Sequence, residues 1–149
     1  MSTHPYLRAY LAGVFVTTLI LPLMLTAFII LRLVLQFPVP IERGLVFPMA
    51  LVPAAWGIWN MLWLASHQRT RLPVGLHGAI FPFILLPIGA TVAHCFGILS
   101  FGAASVTWFQ TVHVPYILVV PAFCCGVAAY YLVWKYIVGF VNRVLAIAS

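Results

Sequence analysis

Four long stretches of this sequence contain no Asp, Glu, Lys or Arg, and they constrain the fold more than any other feature. They cover residues 9–31, 45–66, 76–101 and 112–134. As an α-helix the first would be about 35 Å long, enough to cross a hydrocarbon core of about 30 Å. The mean hydropathy of +1.17 is far above that of water-soluble folds. The sequence therefore predicts an all-α, multi-pass membrane protein, with four transmembrane helices in a single domain of residues 1–149.

Prolines lie inside these stretches. Pro22 falls within the first, and a motif F-P-x-x-L-x-P occurs at residues 47–53 and again at 81–87, with a looser copy at 114–121. A proline inside a helix removes one backbone hydrogen bond, so we expect proline kinks. The repetition in helices of opposite direction is compatible with an inverted repeat, as in transporters, or simply with recurrent proline in apolar helices.

Basic residues between the stretches indicate the orientation in the membrane. One side would carry five and the other two: Arg8, Arg69, Arg71, Lys135 and Arg143 against Arg32 and Arg43. Basic residues accumulate on the cytoplasmic side, so both termini and the second loop are predicted to be cytoplasmic, in a plasma membrane of the bacterial inner-membrane type. The charges are scattered singly between apolar runs, which argues against nucleic acid as a partner.

The segment 135–149 after the fourth stretch has a helical pattern of its own. One side collects polar and small residues, and the other side is apolar: Lys135, Gly139, Asn142, Arg143, Ala146 and Ser149 against Ile137, Phe140, Val141, Val144 and Leu145. This pattern predicts either an amphipathic helix that lies along the membrane surface or an extension of the fourth helix that packs on a partner.

Polar side chains inside the predicted spans are the first candidates for function, because they are costly to bury in lipid. Thr17, Asn60, Thr91 and His94 are the candidates for ligand binding or for lining a pathway. Each also has a purely structural interpretation, namely a hydrogen bond to a neighbouring helix. If the four residues share one aqueous cavity, a pathway is indicated; if they face separate neighbours, that hypothesis fails.

The short basic turn after the second stretch is a candidate site for lipid headgroups. Arg69 and Arg71 lie within it, and His67 and His77 flank it at a similar depth. The two histidines are also the better-matched pair for a haem, which is the alternative to headgroup binding at this turn. We predict no metal site and no cofactor, because the candidate ligands lie at different depths and no carboxylate lies inside a span. This lack of carboxylates also argues against acidic cation filters and carboxylate-driven proton antiport.

Small residues at intervals of four predict close helix packing. Gly89, Ala93 and Gly97 form such a ridge in the third stretch, and Ala122 and Gly126 repeat the spacing in the fourth. These ridges would pair the third and fourth helices or serve an oligomer. Trp56, Trp59 and Trp63 form a stripe in the second stretch, either packing in the core or facing lipid, or lining a pocket for a flat ligand such as a quinone.

These observations lead to an ordered set of functional hypotheses. No catalytic motif is present, so an enzyme is the least supported class. Minimal loops leave mainly intramembrane surface for interaction, which favours a structural or accessory subunit that forms a homo-oligomer or joins a larger membrane complex. An oligomeric channel or transporter for a neutral, anionic or lipid-like solute is the alternative. A haem-binding or quinone-binding redox protein is the third hypothesis.

Overall fold

The computed structural model describes residues 4–36 and 47–147, with the side chains of residues 47–49 left undescribed. Helix α1 is Pro5–Ile29 and continues as a π-helical turn, Ile30–Val34; α2 is Phe47–Thr70 and α3 is Val74–Cys95. Three short strands follow: β1, Leu99–Phe101; β2, Ser105–Trp108; and β3, Val112–Pro115. Helix α4, Tyr116–Leu132, continues through a π-helical turn, Val133–Val138, into α5, Gly139–Val144.

Three helical segments are long and apolar enough to cross a membrane. They are Pro5–Val34, Val74–Cys95 and Tyr116–Val144. The prediction of a mainly helical, membrane-embedded chain is thereby confirmed. Helix α2 has 24 residues, about 36 Å at 1.5 Å per residue, but it is not among the three. Its tryptophans, Asn60 and the polar residues of its last turns make it less apolar than the others. Of the predicted first loop, Arg32 lies in the π-helical turn, and residues 37–46, with Glu42 and Arg43, lie outside the described residues.

The connection between α3 and α4 is a small antiparallel sheet, which the hydropathy pattern does not indicate. Its strand order is β1-β2-β3, and β2 pairs with both neighbours, Phe101 with Val106 and Thr107 with His113. The third helix therefore ends at Cys95 rather than near residue 101, and the fourth begins at Tyr116 rather than at 112. Gly97 has a φ of +67°, a left-handed conformation that glycine adopts without strain, directly after α3.

The composition of the strands explains why this connection is not helical. β2 reads S-V-T-W and β3 reads V-H-V-P, runs in which β-branched and aromatic residues favour extended backbone. Val106 at the centre of β2 is buried, whereas Trp108 at its end is exposed. Pro115 then precedes α4 in an extended conformation. A short, uncharged and apolar strand is easily assigned to a helix when hydropathy alone is used.

The fourth helix does not end at Trp134 but continues through residue 144. Asn142, expected on the polar side of a surface helix, is 2% exposed, and Gly139 is also buried. The extension predicted as one of two alternatives is therefore present, and its buried side faces the interior of the bundle. Part of the C-terminal pattern, Ser149, lies outside the described residues.

The helices form two antiparallel pairs, α1 with α2 and α3 with α4. Buried side chains concentrate at one end of the molecule, which we call the packed end; it contains Ala9–Thr17, Trp56–Trp63, Gly75–Pro82 and Trp134–Asn142. At the opposite, open end, most apolar side chains are exposed, including Leu23, Phe83 and Ile117. The core of the protein therefore lies where the two helix pairs meet, at the packed end.

Glycines allow the helices to approach closely at the packed end. A Cβ atom on Gly13 would lie 2.5 Å from the carbonyl oxygen of Trp56, and one on Gly57 would lie 2.5 Å from the ring of Tyr10. A Cβ on Gly78 would overlap the side chain of Trp134. Both the contact within the α1–α2 pair and the seating of Trp134 on α3 therefore require glycine.

Candidate functional site

Two asparagines form the polar centre of the packed end. The Asn60 side-chain amide donates to Asn142 Oδ1 at 2.8 Å, and the Asn142 amide donates back to Asn60 Oδ1 at 3.1 Å. Asn60 also donates to the carbonyl oxygen of Ala9 at 2.8 Å. Asn60 is fully buried, so in an apolar surrounding each of these bonds would be costly to lose. This amide pair connects α1, α2 and the C-terminal extension at one point.

A second polar link joins α2 to α3. The indole N–H of Trp59 donates to the carbonyl oxygen of His77 at 3.0 Å, and His77 Nε2 lies 3.0 Å from the carbonyl oxygen of Trp59. Because that carbonyl accepts only, the geometry requires a proton on Nε2. The two rings stack with centroids 4.5 Å apart. His77, 8% exposed, therefore acts as a structural donor between the two helices.

An apolar cavity lies beside this polar centre, towards the open end. Its volume is about 210 Å³, and its lining is almost wholly apolar. The α1–α2 pair and α4 both contribute to its walls: Thr17, Ile20, Leu21, Val52, Pro53, Trp56, Ala129, Tyr130 and Val133. Trp56 and Tyr130 both line the cavity, and their ring centroids are 5.3 Å apart. The cavity is thus located where the two helix pairs separate.

The four candidate pathway residues do not meet in one cavity. Thr17 and Thr91 each donate to a carbonyl of their own helix, those of Val14 and Pro87. His94 Nδ1 lies 3.0 Å from the carbonyl oxygen of Leu99, next to the small sheet. Only Asn60 joins two helices through its side chain, and only Thr17 lines the cavity. Among the described residues of one chain, these groups form no continuous polar path.

The residues predicted to contact headgroups separate into two kinds of environment. Arg69 and Arg71 are exposed at the end of α2 and in the turn that follows it. His67 is half-buried, with Nδ1 3.3 Å from the carbonyl oxygen of Leu72, whereas His77 is inside the bundle. Headgroup binding stays a prediction for the two arginines and His67. A haem between His67 and His77 would require His77 to give up its bond to Trp59.

The small residues predicted for close packing lie at the open end. A Cβ atom on Gly89, Gly97 or Gly126 would meet no atom within 4 Å. The predicted tight contact of α3 with α4 through these glycines is therefore not formed within one chain. The observed close contacts use Gly13, Gly57, Gly75 and Gly78 instead. Use of the open ridges by an oligomer stays a prediction.

Several important residues were not found by sequence reasoning. The sequence pattern places Asn142 only on the polar side of a helix. Gly57 has no small residue four positions away, and the pair Ala9 and Gly13, which does have that spacing, was not recognised as a packing ridge. The sequence does contain a signal for Asn142: it lies beyond the fourth span among the apolar residues Phe140, Val141 and Val144. The charge pattern places Trp134 at the end of the fourth span, whereas the structure buries it fully against Gly78.

The tryptophan stripe of α2 has divided roles. Trp59 and Trp63 donate to the carbonyl oxygens of His77 and Leu72 across the α2–α3 connection. The N–H groups of Trp56 and Trp134 are buried and form no hydrogen bond with any described residue, although Trp56 lies beside Tyr130. The stripe therefore serves packing, and only Trp56 also borders the cavity.

The fold and the buried site define the class: a helical membrane protein made of two helix pairs, joined by a buried polar centre and bordering an apolar cavity. Within the described residues, no group of three or more potential metal ligands occurs. The sequence matches no known protein family, and no characterised protein and no solved structure shows significant similarity to it.

Proposed function

We propose that this protein is a small four-span structural or accessory membrane protein that assembles with itself or with a larger membrane complex through its open end. The exposed apolar surface of that end is the observation that carries the proposal. In the most apolar window of the helix Tyr116–Val144, only 6% of the residues are buried within the chain. The function thus lies in contacts made inside the membrane.

Four spans are proposed because α2 packs along α1 over much of its length. A chain that crosses with α1 and returns with α2 places Arg8 and Arg69 on the same side. With α3 and the long fourth helix also crossing, the basic turn at residues 67–75 and the C-terminal extension share the packed end. We propose that this end faces the cytoplasm and that the small sheet faces the opposite side. Pro22, Pro53, Pro82, Pro87 and Pro121 are inside helices, where we propose kinks.

Assembly is favoured over an isolated chain by the open glycines. Helices associate in lipid mainly through close packing and hydrogen bonding, since lipid and side chains are equally apolar. Gly89 and Gly126 at the open end leave free space in which the helix of another subunit can approach closely. Among the described residues of the open end, no buried polar side chain lacks a hydrogen-bond partner.

The alternative functions find less support in the geometry. The channel hypothesis depended on Thr17, Asn60, Thr91 and His94 sharing one cavity, and in a single chain they do not. The redox hypothesis depended on histidines free to bind a cofactor, whereas His77 and His94 each lie within hydrogen-bonding distance of a backbone carbonyl. Both hypotheses would need a different arrangement in an oligomer.

The mass of the native particle tests the proposal. The protein would be extracted from its own membrane in a mild detergent or a lipid nanodisc, and its mass would be measured by native mass spectrometry. We expect a multiple of the 16.5 kDa chain or the additional mass of a second protein. A matched pair of variants, Gly126→Leu at the open end and Ala65→Leu at the packed end, locates the contact.

The two variants also show what contradicts the proposal. Gly126→Leu is expected to shift the particle towards the single chain, because the larger side chain prevents close approach, and Ala65→Leu is not. A particle that contains one chain alone under all mild conditions, in both variants and in the wild type, would overturn the assembly proposal.

A further inference from the structure

The apolar cavity lies at the depth of lipid acyl chains. Thr17 is 12 residues beyond Pro5, which corresponds to about 18 Å along α1. Because the hydrocarbon core of a bilayer is about 30 Å thick, a membrane-spanning α1 places Thr17 well inside it. Neither water nor a headgroup is present at that depth. Whatever enters the cavity from the surroundings is therefore hydrocarbon.

The cavity also has the form that a hydrocarbon chain requires. It is partly open at its side, where Ile20 is 40% exposed and Ala129 is exposed. Its volume of about 210 Å³ exceeds the roughly 150 Å³ of engineered apolar cavities that hold benzene. The hydroxyl of Thr17 in its lining is already bonded to the carbonyl of Val14. The surface that the walls present is almost wholly apolar, although the buried indole N–H of Trp56 has no hydrogen-bond partner among the described residues.

We propose that this cavity is a binding site for one phospholipid acyl chain, which enters sideways between α1 and α4. The driving force is packing, since a chain in bulk lipid is already out of water. An empty cavity would deprive Trp56, Tyr130 and their neighbours of dispersion contacts, and an inserted chain restores them. The bound lipid would thus fill the place where the two helix pairs separate and hold them at that spacing.

Photolabelling tests this site on the purified, full-length chain. The protein would be reconstituted in phosphatidylcholine vesicles that contain a phosphatidylcholine with a diazirine in the middle of one acyl chain. After illumination and digestion, mass spectrometry would locate the label. We expect it on cavity residues, above all on Trp56 and Tyr130, although Trp56 is only 4% exposed and is shielded from ordinary surrounding lipid.

Matched variants separate a specific site from the general lipid surface. Ala129→Phe would fill the cavity, and we expect the label on Trp56 and Tyr130 to fall to background. Ala128→Phe adds the same ring one position away, outside the cavity lining, and is expected to leave the label unchanged. Val133→Phe is a second cavity-filling variant, in case Ala129→Phe fails to fold.

The proposal would be overturned if label spread evenly over the exposed residues of α1 and α4 with none on Trp56. It would equally be overturned if a folded cavity-filling variant kept the wild-type labelling pattern. The experiment reads the position of the label on the chain and not the mass of the particle, so its result is independent of the native mass that tests the proposed function.

Discussion

Asn60 and Asn142 show how few polar groups hold this bundle together. Their two amides satisfy each other, and Asn60 has a second donor hydrogen for the carbonyl oxygen of Ala9. Both asparagines are almost completely buried, so water or lipid headgroups do not compete for these bonds. Since one side chain serves three segments, the packed end depends strongly on residue 60.

Each single replacement in the amide pair should destabilise the protein, and the two losses should not add up when both residues are replaced. We expect Asn60→Leu or Asn142→Leu to lower the free energy of unfolding by about 1–3 kcal/mol, because the remaining buried amide loses its hydrogen bonds to the other amide. The double variant should lose less than the sum of the two single effects. Reversible unfolding in mixed micelles, followed by circular dichroism, measures all three.

Thr91→Val is the matched control for these variants. Its hydroxyl bonds only to a carbonyl of its own helix and is exposed. The change should therefore be nearly neutral. Strictly additive losses in the double asparagine variant would contradict the direct amide contact.

At the scale of whole elements, the α1–α2 and α3–α4 pairs use different devices. Gly13 lets the backbone of α1 approach the backbone of α2 at Trp56, and Gly57 makes room for the ring of Tyr10. Gly78 instead receives the indole of Trp134 from the continuation of α4. Tyr116, the first residue of α4, donates its hydroxyl to the carbonyl oxygen of Gly102 at 2.9 Å. This bond holds the start of α4 against the connection that contains the small sheet.

The close contact of α1 with α2 predicts a strong dependence on the side chain at position 13. Gly13→Val should reduce the free energy of unfolding by about 1–3 kcal/mol or prevent folding, because a Cβ there meets the backbone of Trp56. Gly89→Val is the control, since it adds the same β-branched side chain to a helix where space is free.

Thermal unfolding in detergent, followed by tryptophan fluorescence, compares the two glycine variants. Gly13→Val should unfold at a lower temperature, and Gly89→Val should stay close to the wild type. An equal loss in both would mean that helix propensity, and not the contact of α1 with α2, sets the effect.

For the whole molecule, the arrangement of helices predicts which loops share one side of the membrane. If all four helices cross, His4 and Gln68 lie on one side and Ser100 on the other. In a background without the native cysteines, Cys95, Cys124 and Cys125, each position would be replaced by cysteine. A membrane-impermeant maleimide should label His4→Cys and Gln68→Cys only in inside-out vesicles.

The third position completes the test of topology. Ser100→Cys, at an exposed position of strand β1, should be labelled only in right-side-out vesicles. Labelling of His4→Cys and Gln68→Cys from opposite sides would show that α2 does not cross, and the four-span proposal would fail.

Hydropathy and charge by themselves determined that this chain is helical and embedded in a membrane. An uncharged run of about 20 residues has few alternatives, because in lipid the backbone must bond to itself. The extension beyond Trp134 was visible as one of two alternatives, since its helical period is local. These properties depend on neighbouring residues along the chain and are therefore readable from the sequence.

Only the tertiary structure decided which polar and small residues meet. Asn60 and Asn142 are 82 positions apart, and their contact depends on how two helix pairs are placed. The glycines of the predicted ridges, Gly89, Gly97 and Gly126, face open space, whereas Gly13 and Gly78 outside those ridges form the close contacts. The sheet was missed because β1 and β3 are uncharged and continue the apolar runs of the adjoining helices, while β2 lies in the uncharged stretch between the two predicted spans. Packing partners, unlike hydropathy, are set by the global arrangement, and a single sequence does not encode them in any local pattern.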